Sequence, residues 1–227
     1  MTDVILHDYW RSSSAYRVRI GLNLIGIAYR AVPVDLSTGA QRDPRHLRAN
    51  PQGLVPVLEI DGLRLTQSLA ILEYLDETRQ AGFLPGTPVD RARARALAHA
   101  VAMEIQPVCN LRVAQHAVSL GGSATLEGWM RHFIALGFQG LEPMLTGGSP
   151  FSLGDRPGLA DLCLVPQVYN ARRWGLDLTP FPRIAAIADR MEALPEVAAA
   201  HPDRVKPGAR AWQRAGTSTC RISCPTS

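Results

Sequence analysis

The sequence predicts a small α/β domain followed by an all-helical one. Two observations carry the first half: short apolar strand patterns alternate with helical ones over about the first 80 residues, in the order β-α-β, loop, β-β-α. A third carries the second half: from about Val89 every apolar period is helical, and no internal repeat interrupts it. Pro85, Gly86 and Pro88 mark a linker between the two.

Val4-Ile5-Leu6 reads as a short buried strand. Ala15, Val18, Leu22 and Ile25 recur at helical spacing, and Gly26 closes that helix. Val32, Val34 and Leu36 alternate as a second strand, and a loop follows. Val57 to Ile60 and Leu63 to Leu65 flank Asp61-Gly62, the strongest short hairpin signal. A helix from about Gln67 to Thr78 sets Leu69, Leu72 and Leu75 on one face. In the second half a long Ala-rich helix is expected from roughly Asp90 to Leu120, kinked at Pro107. Others are expected near Leu126–Leu145, Ala160–Arg173 and Pro182–Leu194. The expected division is residues 1–82, a linker at 83–88, a helical domain at 89–207 and a disordered tail at 208–227.

Composition narrows the function. The chain has 227 residues, enough to bury a real core, with 46% hydrophobic and 19% charged residues. No apolar run approaches the ~18 residues of a membrane span, and no secretory signal pattern follows Met1, so a cytoplasmic address is expected. The net charge of +4 is almost all arginine, Lys206 being the only lysine. The arginines are scattered apart from Arg91/Arg93/Arg95, read as a solvated helix face, and no aromatic residues interleave with them. This balance suits a small anionic substrate better than a nucleic acid. Cys109 and Cys163 fall in apolar helical patterns and read as buried thiols. Cys220 and Cys224 lie in the aperiodic tail, and no metal site is expected.

Three local features could carry chemistry. Pro56, in Leu54-Val55-Pro56-Val57, precedes a strand and permits a cis bond. In a thioredoxin-like setting such a proline leaves the N–H and C=O of Val55 free to pair with a peptide. Gln67-Ser68 opens a helix: Ser68 suits an N-cap, and the free N–H groups equally suit a carboxylate. Ser12-Ser13-Ser14 lie at another helix start, which Ser13 or Ser14 can cap. Three hydroxyls at a positive helix end would also favour thiolate over thiol, for a thiol supplied from outside.

Taken together these features resemble the glutathione transferase superfamily, and most closely its zeta class. The class signature Ser-Ser-Cys-x-x-Arg-Val-Arg-Ile-Ala-Leu is similar to the run from Ser12 to Leu22. Asn50-Pro51 through Val55-Pro56, Gln67 to Ile71, Ala160 to Val168 and Asp177 to Pro180 extend the resemblance over about residues 4 to 205. It implies a thioredoxin-like N-terminal domain, an all-α C-terminal domain and a homodimer. It implies glutathione as cofactor, its γ-glutamyl end on Gln67-Ser68 and its cysteinyl backbone on Val55, beside cis-Pro56. Ser12 then faces the sulfur, with Ser13 and Ser14 in support, and Gln106 and Asn110 match further glutathione contacts.

The resemblance further implies cis–trans isomerisation of maleylacetoacetate or maleylpyruvate to the fumaryl isomer. Arg11 and Arg173 match arginines shared by zeta isomerases, and Arg112 one associated with the maleylpyruvate type; all three suit substrate carboxylates. Two alternatives stand beside this: a transferase acting on small α-halo acids, and a non-catalytic glutathione-binding module. Ser14 replaces the signature cysteine, which argues against reductive dehalogenation through a mixed disulfide. Gly158 takes the usual Ser/Thr capping place before Asp161, and Asp161 is read as structural.

Overall fold

The computed structural model describes residues 3–145 and 147–206. Strand β1 (Ile5–Asp8) pairs in parallel with β2 (Arg30–Pro33), and helix α1 (Ser13–Leu24) connects them. After α2 (Pro44–Ala49), strands β3 (Val57–Ile60) and β4 (Leu63–Thr66) add antiparallel, giving the order β2-β1-β3-β4. Helix α3 (Ser68–Arg79) follows. The expected hairpin is present: Asp61 and Gly62 both take positive φ, 54° and 76°, as its tight turn demands.

Two expectations in this region need correction. The second strand ends at Pro33 rather than running to Leu36. Val34 N–H still donates to Asp8 O, but the Asp35 carboxylate then accepts from Ser37 N–H at 2.8 Å and turns the chain. The stretch read as loop contains α2, started by Pro44 at its first position and by Asp43, which accepts from Arg45 N–H at 2.7 Å.

The remaining chain is helical: α4 (Pro88–His99), a π-helical segment (Ala100–Ile105), α5 (Gln106–Val108), α6 (Leu111–Ser119), α7 (Leu126–Leu141), α8 (Leu159–Arg173), α9 (Pro182–Glu192), α10 (Pro195–Ala200) and α11 (Pro202–Val205). The long helix expected over 90–120 is therefore not one kinked rod. Its middle widens to a π turn, closed by the bond from Gln106 N–H to Val101 O, and the helix ends at Cys109. Asn110 restarts it by accepting from Arg112 N–H at 3.1 Å. Pro107, lacking an N–H, cannot continue the preceding ladder, and widening that turn is one way to accommodate it.

Helices α1 and α8 form the spine between sheet and helical layer. Leu6, Ile20, Leu22 and Leu72 on one side, and Leu162, Val165, Ile184 and Ile187 on the other, belong to one continuous buried cluster. Each such side chain contributes roughly 1.5–3 kcal/mol. Arg19 ties the layers with polar bonds: it is 1% exposed, donates to both Asp8 oxygens at 2.6 and 2.9 Å, and reaches Trp10 O and Ala200 O. Asp161 is buried at the start of α8 and accepts from Gly158 N–H and Ser152 N–H, both at 2.8 Å, which is a structural role. Cys109 and Cys163 are buried free thiols. Among the described residues no helix is long and apolar enough to cross a membrane. The expected tail, with Cys220 and Cys224, lies outside the described residues.

Candidate active site

The N-terminus of α1 is the hub. Ser12, not Ser13 or Ser14, is its cap: Ser12 Oγ accepts from Ala15 N–H at 3.2 Å while Ser12 N–H donates to Tyr9 O. A capping hydroxyl uses a lone pair and keeps its proton, so the bond to Ala15 holds Ser12 Oγ in place with an O–H still to donate. Ser13 opens the helix, half-buried. Ser14 accepts from Gln106 Nε2 at 3.0 Å, which fastens α5 of the helical layer to α1.

Two further loops meet this end. The Val55-Pro56 peptide is cis, and no turn or side-chain hydrogen bond engages Val55 N–H or C=O among the described residues. The carbonyl just before them is held: Leu54 O accepts from Asn50 Nδ2 at 2.9 Å and lies 2.9 Å from His46 Nε2. At the start of α3, Gln67 occupies φ 66°, ψ 112°, an uncommon backbone for a side chain of its size. Its amide donates to Gln52 Oε1 at 2.8 Å. Ser68 is buried, and its Oγ accepts from Arg17 Nη1 at 3.3 Å.

The arginines divide. Arg11, next to Ser12, sits 4.6 Å from the Trp10 ring, and Arg173, at the end of α8, sits 4.7 Å from the Trp174 ring. Surrounding protein, and after it the like charge of Arg11, holds Arg173 below the usual arginine range, although its side chain still reaches solvent. No carboxylate pairs with either among the described residues; Arg173 has only a 3.5 Å contact to Asn170 Oδ1. Two neighbouring cations without a carboxylate partner among the described residues leave net positive charge at this end of α1 and α8. Arg112 is not drawn in: it lies exposed on the first turn of α6, outside these contacts. Asn110 spends its side-chain oxygen on the α6 cap and keeps its amide N–H groups.

Sequence reasoning missed Arg17, Gln52, His46 and Asn50 as supports. Arg17, Asn50 and Gln52 lie within the runs that carry the resemblance but were given no role there, and His46 carried no signal beyond an ordinary polar residue. Cavities of about 200 Å³ (Tyr16, Glu192, His201, Arg204) and about 270 Å³ (Phe83, Arg156, Asp161) lie outside this cluster. Among the described residues no group of three or more His, Cys, Asp or Glu could hold a metal ion.

Comparison with known proteins points the same way as the geometry. The family described as glutathione S-transferase, N-terminal domain, matches residues 2–77. The maleylacetoacetate isomerase of Rhizobium meliloti (strain 1021) is 57% identical over 212 residues, covering 90% of this chain and 99% of its own. A holo maleylpyruvate isomerase, a bacterial glutathione S-transferase of the zeta class, superposes with a TM-score of 0.85 at 36% identity, over 90% of this chain and 100% of that one. A maleylacetoacetate isomerase from Methylobacterium extorquens AM1, with malonate and glutathione bound, gives 0.83 at 42% identity, over 88% of this chain and 97% of that one.

Proposed function

Because this chain belongs to the zeta class of the glutathione S-transferase family, we propose that it is a glutathione-dependent cis–trans isomerase converting maleylacetoacetate to fumarylacetoacetate. The observation that carries the reading is the Arg11–Arg173 pair, drawn from two parts of the chain and without carboxylate partners among the described residues, Arg11 directly preceding the capping Ser12. A relative with malonate and glutathione bound supports a dicarboxylate as the substrate class.

The residues present fit glutathione: free Val55 backbone groups suit its peptide, Ser68 and the α3 N-terminus its γ-glutamyl carboxylate, and Ser12 its sulfur. Bound there, glutathione would supply a thiolate for reversible addition to the cis double bond, a chemistry that isomerises the alkene without consuming the thiol. Ser12 donates its hydroxyl proton as a hydrogen bond to the sulfur, and the positive end of α1 favours the anion further. Arg11 and Arg173 grip the substrate carboxylates, and their charge offsets what develops on the substrate carbonyl oxygen. Gln106 and Asn110 complete the glutathione contacts from the helical side, Gln106 through its bond to Ser14. Arg112, exposed on α6 and outside these contacts, takes no part in the proposal. The domain division at 83–88, a cytoplasmic location and a homodimer complete the proposal.

The deciding experiment supplies maleylacetoacetate, and separately maleylpyruvate, with sub-stoichiometric glutathione, while free thiol and the fumaryl product are followed. Multiple turnovers with constant thiol, faster on maleylacetoacetate, are expected. Stoichiometric thiol loss with small α-halo acids and no isomerisation would establish the transferase alternative instead. Glutathione binding without turnover of any of these substrates would leave a binding module.

A further inference from the structure

Arg17 and Arg19 are two residues apart on α1 and equally buried, at 2% and 1% exposure. Their surroundings differ in kind. Arg19 is saturated by Asp8 and two backbone carbonyls. Arg17 has one hydrogen bond, to Ser68 Oγ, while its Nε and Nη2 have no partner. No carboxylate pairs with it among the described residues, and the charge faces Cys163 across the α1–α8 contact. Burial accordingly lowers its pKa. A lone buried cation is a costly arrangement that folding alone does not call for.

We propose that Arg17 is the positioning charge of the γ-glutamyl pocket, kept without a protein counter-ion so that the ligand's α-carboxylate becomes that counter-ion, with Ser68 between them. The inference rests on the glutathione reading above. By donating to Ser68 Oγ, Arg17 takes one acceptor site of the hydroxyl and leaves its O–H available to donate to a ligand at the start of α3. The carboxylate there meets a polarised hydroxyl, the helix end and a guanidinium one bond behind, in a setting where charge is weakly screened. Arg17 does not touch the reacting atoms; it selects tripeptides that carry the carboxylate.

Calorimetry with three peptides tests this: glutathione, glutaryl-Cys-Gly, which keeps the carboxylate and lacks the amine, and 4-aminobutyryl-Cys-Gly, which lacks the carboxylate. Arg17→Met is expected to weaken the first two by roughly tenfold or more and the third by less than about twofold. Its ligand-free urea midpoint should hold or rise, since an uncompensated charge gives way to an apolar chain. Arg17→Lys, which retains the charge, should keep the preference for carboxylate-bearing peptides. Equal losses on all three peptides, a ligand-free midpoint that falls with affinity, a Met variant that does not fold, or loss of the preference in the Lys variant would each overturn the proposal. Failure of the unmutated protein to bind glutathione is a distinct result and counts against the functional reading itself.

Discussion

Ser12 has two jobs that substitutions can pull apart. As the α1 cap it holds Ala15 N–H at 3.2 Å, and as a donor it faces the place assigned to sulfur. A hydrogen bond to a charged group contributes about 1.5–3 kcal/mol, and about 1.4 kcal/mol is one pKa unit, so its loss should raise the bound thiol's pKa by about 1–2 units. Ser12→Ala and Ser12→Gly both remove that donor. They differ as caps: Ala costs about 1 kcal/mol of stability, Gly only a few tenths. Thiolate absorbance of the glutathione complex, titrated with pH, should therefore shift alike in both variants, while urea unfolding separates them. Turnover should fall by roughly 10² in both, as for loss of an anion-stabilising donor. Ser12→Thr, keeping hydroxyl and cap, should stay near the parent in all three measurements. An unchanged thiol pKa with turnover within about twofold in the Ala and Gly variants would refute the donor role and leave Ser12 a cap alone.

Arg173→Glu should raise KM for the dicarboxylate more than about tenfold while the glutathione Kd moves less than about twofold; an unchanged KM would remove Arg173 from the substrate site. The Glu73–Arg95 pair, 2.7 Å between Oε2 and Nη2, joins α3 to α4, and the hydrogen bond from Arg95 holds the Glu73 carboxyl below its ordinary value. A lowered carboxyl stabilises the fold above its unfolded pKa and loses that contribution as pH falls through the folded value. Glu73→Gln should thus unfold about 0.5–1 kcal/mol more easily at pH 7, with the gap closing below about pH 4; a gap independent of pH would disprove the linkage. Burial pushes the Cys109 thiol up to about 11. At pH 7.5 peptide mapping should find it unmodified by iodoacetamide in the native protein and modified in urea, and equal labelling in both would contradict its burial.

Legibility followed the length of each pattern. The hairpin at Asp61-Gly62 and helices α7 to α9 were readable because turn chemistry or several helical periods specify them locally. Helix α2 was not, since six residues containing one buried side chain, His46, present no period, and only Asp43-Pro44 signalled its start. The break at Asn110 was hidden for the opposite reason: the Ala-rich sequence favours helix on both sides of it, and the interruption is made by one proline and one capping side chain. At the site, the serines and Gln67-Ser68 could be argued from helix ends alone. Arg11 and Arg173 gained a role only through resemblance, because their meeting depends on how α8 lies against α1. Arg17 and Arg19 show the limit best: the signature run that contains them says nothing of their burial, yet both are buried.

The π segment sets how the helical half meets the N-terminus of α1. Its closing bond spans five residues, from Gln106 N–H to Val101 O, so one residue is inserted relative to an α-helix. An extra residue rotates everything downstream by about one residue's turn of the helix, roughly 100°. Gln106 is the first residue after that insertion, and it is the residue that reaches Ser14. The segment is held from behind by α7, where Gly137 admits Ile105 so closely that a Cβ at 137 would collide with it. The bulge, its glycine and the Gln106–Ser14 bond therefore act as one device. Without the insertion, Gln106 would project from a different face of the helix, and the first turn of α1 would lose its hydrogen bond from α5.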